Sequence, residues 1–174
     1  MEKLTDEILM LKVANGNLDL LKILFDRHHK HVFNFLYKMC SDRMLSEDIT
    51  QEVFYKLMKY RTSYNNGKFV SWLFTIARNS LNTHFRRTSI NHDDLDTVAY
   101  KLEDESGEEK DYSDLHQAIN KLETSDRELV ILNRFHEIKY EELAEIVGST
   151  PGAVKTKVSR ALNKLRTIYF QNSY

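Results

Sequence analysis

One proline and five glycines among 174 residues set the strongest limit on the fold. An all-β domain needs frequent tight turns, and tight turns draw on Gly and Pro. A shortage of both disfavours an all-β fold, and the helical periodicity of the apolar residues along the chain predicts an all-α one. Its 41% hydrophobic and 29% charged residues supply a core and a solvated surface, and its length suits one medium domain or two small ones. No apolar run reaches the roughly 18 residues that would suggest a membrane span. The acidic opening MEKLTDEILM lacks the apolar core of a secretory signal. Cys40 is the sole cysteine, so no intramolecular disulfide is possible. A cytoplasmic home without membrane insertion is therefore expected.

The net charge of −1 conceals a strong asymmetry. Residues 93–111 hold nine acids against Lys101 and Lys110, whereas residues 1–92 carry a net +5 and residues 112–174 a net +1. The strip DDLDTVAYKLEDESGEEKD has little hydrophobic periodicity and reads as an extended or disordered acidic linker at 93–112. It separates two small helical domains, a four-helix unit at 1–92 and a helix-turn-helix unit at 113–174.

In the first unit, Thr5 caps a first helix that Asn15-Gly16 stops. Leu18, Leu21, Phe25, His28, Val32, Phe35 and Met39 give a long second helix one apolar face. Ser46 is expected to cap a third helix ending near Arg61, SYNNGK to form a turn, and a fourth helix to run from about Phe69 to Arg87. In the second unit Ser113 and Ser125 are expected caps, with Leu129, Leu132 and Phe135 turned inward. A third helix spans about Tyr140 to Val147, and Thr150 caps a fourth with Pro151 in its first turn.

Three segments carry chemistry. In KYEELAEIVGSTPGAVKTKVSRALNKLR, Gly148 supplies a turn between two short amphipathic helices. The second directs Val154, Val158, Ala161, Leu162 and Leu165 inward and Lys155, Thr156, Lys157, Ser159, Arg160 and Lys164 outward. That is the layout of a helix-turn-helix, whose second helix enters the major groove of double-stranded DNA. In SEDITQEVFYKLMKYR, Ile49, Val53, Phe54 and Leu57 share one side. Asp48, Glu52, Tyr55 and Lys59 share the other, with Gln51 beside them. Such a face could dock a basic partner, although periodicity alone describes an ordinary amphipathic helix. In FVSWLFTIARNSLNTHFRR, Phe69, Trp72, Leu73, Ile76, Leu81 and Phe85 are apolar, opposite an arc of Thr75, Arg78, Asn79, Asn82 and Arg86. Cations and amides interleaved with aromatics suit single-stranded DNA.

His28, His29, His31 and Cys40 are expected to be core and surface residues, not a metal site. The chain has no Gly-rich phosphate loop and no recognisable nucleophile arrangement. No catalytic residue, metal or cofactor is assigned, and the chain is expected not to be an enzyme. A stand-alone helix-turn-helix regulator and a helical adaptor that binds only proteins are the rival readings.

Taken in order, the three segments resemble the extracytoplasmic-function (ECF) class of the sigma-70 family of RNA polymerase sigma factors. The resemblance implies that Asp48, Gln51, Glu52 and Phe54 dock on the clamp coiled coil of core RNA polymerase. It implies that Tyr64 and Asn79 belong to a pocket that captures a flipped base of the promoter minus-10 element, with Trp72 at an aromatic position of the same region. Arg78, Asn82, Arg86 and Arg87 would follow the melted strand, while Lys155, Thr156, Lys157, Ser159, Arg160 and Lys164 would face the minus-35 element. Further implied partners are the polymerase flap and an anti-sigma factor. The linker would act as a polyanion mimic inside polymerase channels. YNNGK is one residue shorter than the usual turn, and Ala153 stands where Thr is usual.

Overall fold

The computed structural model describes residues 3–91 and 110–171, and all regular structure among them is helical. It resolves into two compact units. One comprises the chain up to Leu36 and from Arg43 through the fourth helix; the other runs from the fifth helix onward together with Tyr37–Asp42. Among the described residues, no helix is long and apolar enough to cross a membrane.

The first unit is built on α1 (Asp6–Ala14), α2 (Leu21–Cys40) as far as Leu36, α3 (Arg43–Lys59) and α4 (Phe69–Asn91). Thr5 caps α1 by accepting the Ile8 N–H, and the chain leaves through Asn15 into Gly16 at φ +109°, a conformation that favours glycine. Leu9, Met10 and Val13 of α1 are buried with Leu24, Val32, Phe35 and Leu36 of α2, Ile49, Val53 and Leu57 of α3, and Phe69, Leu73 and Leu81 of α4. Phe35 meets Phe74 edge-on at 5.6 Å between centroids. Burying each large apolar side chain in this core contributes about 1.5–3 kcal/mol.

Two expectations here need correction. The inward face of α2 runs through Leu24, while Leu18 and Phe25 are exposed. Ser46 is no cap: α3 begins at Arg43, and Ser46 is wholly buried inside it, its carbonyl accepting the Thr50 hydroxyl at 2.6 Å. The helix can start earlier because Ser41, at φ +56°, ends α2 with a sharp reversal.

The second unit comprises α5 (Lys110–Lys121), α6 (Thr124–Val130), a π-helical turn (Ile131–Phe135), α7 (Tyr140–Val147) and α8 (Pro151–Gln171). α5 starts before Ser113, and its first residues occupy the end of the expected linker; the rest of that acidic strip lies outside the described residues. Glu123 replaces Ser125 at the start of α6 and makes no side-chain cap. Phe135 is turned outward by the π-turn, whereas Leu129 and Leu132 are buried. α7 and α8 follow the local signals closely. Gly148 takes φ +70° and ψ +46°, and Thr150 Oγ1 accepts the Ala153 N–H at 3.2 Å.

Candidate docking and nucleic-acid interfaces

The early start of α3 extends its outer face. Met44, Asp48, Gln51 and Tyr55 recur at helical spacing and are all exposed, Met44 by 77% and Tyr55 by 58%. Large apolar groups so exposed beside a carboxylate and an amide are a common composition for a protein contact. Met44 escapes a sequence reading that opens the helix at Ser46. Gln51 also lines an open groove of about 410 Å³ between α2 and α3, with Phe25, His29 and Phe33. Phe54 is half-buried, its ring 5.0 Å from that of Phe25 in an edge contact.

Glu52 stands apart from this stripe. Its carboxylate lies 2.9 Å from Lys56 Nζ and 3.0 Å from His84 Nε2, and Lys56 also donates to the buried Ser80 hydroxyl at 3.0 Å. Burial alone would raise the Glu52 pKa; the bonds and charges of Lys56 and His84 outweigh it and hold it below the ordinary value. Stabilisation from a depressed carboxylate is complete above the unfolded pKa of about 4.3 and is lost as the pH falls through the folded value. Thermal melts between pH 3 and 6 are expected to show a shallower acid loss for His84→Ala than for the unaltered chain. Identical acid limbs would remove His84 from the network.

On α4, Trp72, Arg78 and Asn82 are half-buried, while Asn79, Arg86 and Arg87 are exposed. Tyr64 is buried against Trp72, 5.3 Å between ring centroids, and its hydroxyl donates to the Gly67 carbonyl. Burial first, then the Glu7 and Asp6 carboxylates, raise its pKa. The phenol thus shapes the turn from inside. Asn65, Asn66 and Lys68 form its exposed tip, with Asn66 in the left-handed region at φ +56°. The composition of YNNGK marks a turn but does not say which of its side chains face outward.

On α8, Val154, Val158, Ala161 and Leu165 are buried, and Lys155, Thr156, Lys157, Ser159 and Arg160 are exposed along the first three turns. The Thr156 hydroxyl donates to the Gly152 carbonyl at 3.1 Å, leaving its lone pairs to accept. Lys164 is exposed, but its ammonium pairs with Asp126 of α6 at 3.0 Å, away from the leading turns. His28 Nε2 sits 2.9 Å from Asp6 Oδ2 at an angle poor for a hydrogen bond, and His29 Nδ1 lies 2.7 Å from the Phe25 carbonyl. Cys40 is half-buried.

A helical unit with an amide-aromatic arc, followed by a capped helix-turn-helix, is the architecture of a promoter-specificity factor. Residues 24–90 match the model of sigma-70 region 2, and residues 112–165 match that of sigma-70 region 4. Over 165 residues the chain is 30% identical to RNA polymerase sigma factor CarQ of Myxococcus xanthus, spanning 91% of this chain and 94% of that one. It is 24% identical to the ECF sigma factor SigM of Bacillus subtilis over 84% of this chain and 93% of SigM. The structure of sigma factor RpoE of Bartonella quintana, solved in complex with the anti-sigma factor NepR, superposes with a TM-score of 0.72 at 27% identity, covering 84% of this chain and 94% of RpoE. The chain belongs to the ECF group of the sigma-70 family and is an alternative sigma factor of transcription initiation. The α1 helix lies outside both matched stretches.

Proposed function

We propose that α3 docks this sigma factor on core RNA polymerase, the 64–68 turn with α4 captures melted minus-10 DNA, and α8 reads the minus-35 element. The observation that carries this is two different outward faces on one helical unit, acidic and apolar on α3, basic and amide on α4. Core docking uses Met44, Asp48, Gln51 and Tyr55, with Phe54 and Phe25 at the groove edge. Glu52 orders the face from within. Asn65, Asn66, Trp72 and Asn79 meet the extruded base, over a turn shaped by Tyr64. Arg78, Asn82, Arg86 and Arg87 follow the strand backbone.

Neither DNA-binding half is strongly basic, so affinity of the free chain for DNA is weak, since phosphate neutralisation dominates such binding. Docking on polymerase raises the effective concentration of both halves at the promoter. Melting is driven by trapping an unpaired base, with no nucleotide hydrolysis, and the protein is not an enzyme. It acts in the cytoplasm as a docking and minus-10 unit at 1–92 and a minus-35 unit at 113–174. By its charge, the strip at 93–111 suits polymerase channels that later hold nucleic acid. An anti-sigma factor is a further partner, on the model of NepR with RpoE.

The test is transcription in vitro with purified core polymerase on a library of promoter fragments. Lys155→Ala with Arg160→Ala is expected to lower promoter-specific transcripts at least tenfold, since one good base contact is worth about 1–3 kcal/mol. Binding to core should be unchanged. Full activity of the double variant would instead favour a protein-only adaptor.

A further inference from the structure

Helix α1 reaches the turn that the base-capture role depends on. Glu7, in its first turn, accepts the Phe69 N–H with Oε1 at 3.3 Å, across 62 residues of sequence. Phe69 is the first residue of α4, so Glu7 supplies from another helix an acceptor for one of the first-turn N–H groups that have no partner within the helix. The Phe69 ring is wholly buried and stands 6.5 Å from that of Tyr64 in an edge contact. Tyr64 in turn fixes Gly67 through its hydroxyl. One bond from α1 thus sits at the downstream hinge of the turn whose tip is Asn65-Asn66.

The α1 helix is itself anchored. Asp6 pairs with Arg27 of α2 at 3.0 Å, and Arg27 also donates to the Leu4 carbonyl at 2.8 Å. Leu9, Met10 and Val13 are buried, and α1 packs on the 3-10 turn Arg61–Ser63 that leads into Tyr64. Both ends of the 64–68 turn therefore rest on α1.

We propose that Glu7 is a positioning residue for promoter melting: from α1 it holds the first turn of α4, and so sets the geometry of the base-capturing turn. This rests on the base-capture role proposed above for that turn. Glu7 touches no DNA; it acts through Phe69 and Tyr64.

The full chain carrying Glu7→Ala, Glu7→Asp or Glu7→Gln is assembled with core RNA polymerase. The probe is a pool of duplex fragments randomised through the minus-10 element, behind a minus-35 element selected by the unaltered holoenzyme. Each fragment carries a transcribed barcode that identifies its minus-10 sequence; the barcodes are sequenced from the transcripts, and core binding is measured separately. Alanine should weaken base preference at minus-10 roughly fivefold, the equilibrium factor for losing one hydrogen bond of ordinary strength. Core binding, and minus-35 preference read on a second barcoded pool randomised at that element, should hold. Aspartate, one methylene too short, should behave like alanine; glutamine, whose Oε1 accepts the same bond, should behave like glutamate. If alanine abolishes core binding by unfolding the unit, aspartate against glutamine decides. An unchanged minus-10 profile in aspartate, or equal losses in aspartate and glutamine, overturns the proposal. No minus-10 preference in the unaltered holoenzyme would overturn the base-capture reading itself, and this proposal with it.

Discussion

Alanine at Met44, Gln51 and Tyr55 together is expected to weaken binding of the full chain to core RNA polymerase by about a hundredfold or more. Aromatic anchors in a protein contact commonly cost 2 kcal/mol or more when truncated, and 1.4 kcal/mol is tenfold in affinity. The three side chains are exposed in the free chain, so removing them opens no cavity. Surface substitutions of this kind usually change stability by less than about 0.5 kcal/mol. The melting temperature should therefore stay within a degree or two while fluorescence-detected core binding collapses. Glu52→Ala is a poorer probe, because it also breaks the contacts to Lys56 and His84. Its lost binding could not be separated from a disturbed α3–α4 packing. Wild-type affinity in the triple variant, with active core polymerase, would remove the α3 stripe from the docking surface.

What the sequence made legible depended on how local the signal is. The α7–α8 segment reads correctly because its punctuation is intrinsic: a glycine that accepts φ +70°, a Thr cap and a first-turn proline. The two-unit, all-α organisation is legible in the three- and four-residue apolar spacings, in the scarcity of turn residues that disfavours an all-β fold, and in the acidic interruption. Ser46 misled because a serine before an amphipathic run has the composition of a cap, whereas its burial is set by packing. That one misplaced boundary hid Met44. Tyr64 and Glu52 show a second limit. An aromatic in a turn, or an acid on a polar arc, is equally compatible with a binding role and an internal one. The contacts to Gly67 and to His84, on a different helix, give each of them an internal role that no local rule contains. Glu7 lies further still from any local rule, since its partner is 62 residues away.

Replacing Arg127 by alanine is expected to destabilise the helix-turn-helix unit by about 2–4 kcal/mol, enough to empty it of folded molecules under mild urea. Its guanidinium closes the end of α5: Nε donates to the Ile119 carbonyl at 3.1 Å, and Nη2 to the carbonyls of Asn120 at 2.7 Å and Leu122 at 3.0 Å. The last carbonyls of a helix have no partner within it, and this end has no glycine cap to serve them. Nη1 also donates to the Met39 carbonyl near the end of α2 at 2.7 Å; since Ile119 accepts the Leu122 N–H as well, alanine would orphan chiefly the carbonyls of Asn120, Leu122 and Met39. Each orphaned buried acceptor costs roughly 1–3 kcal/mol, and bonds from a charged donor are the stronger kind. Burial lowers the Arg127 pKa from its ordinary value, which is the desolvation cost these bonds offset. Lysine cannot reproduce the planar fork and should recover less than half of the loss. Urea titration of the full chain, followed by circular dichroism, should show a transition moved to lower denaturant in both variants. Since α6 packs on α8, minus-35-dependent transcription should fall in step with that transition, while core docking through α3 persists. An unmoved transition in Arg127→Ala would mean that water serves those carbonyls as well as the guanidinium does.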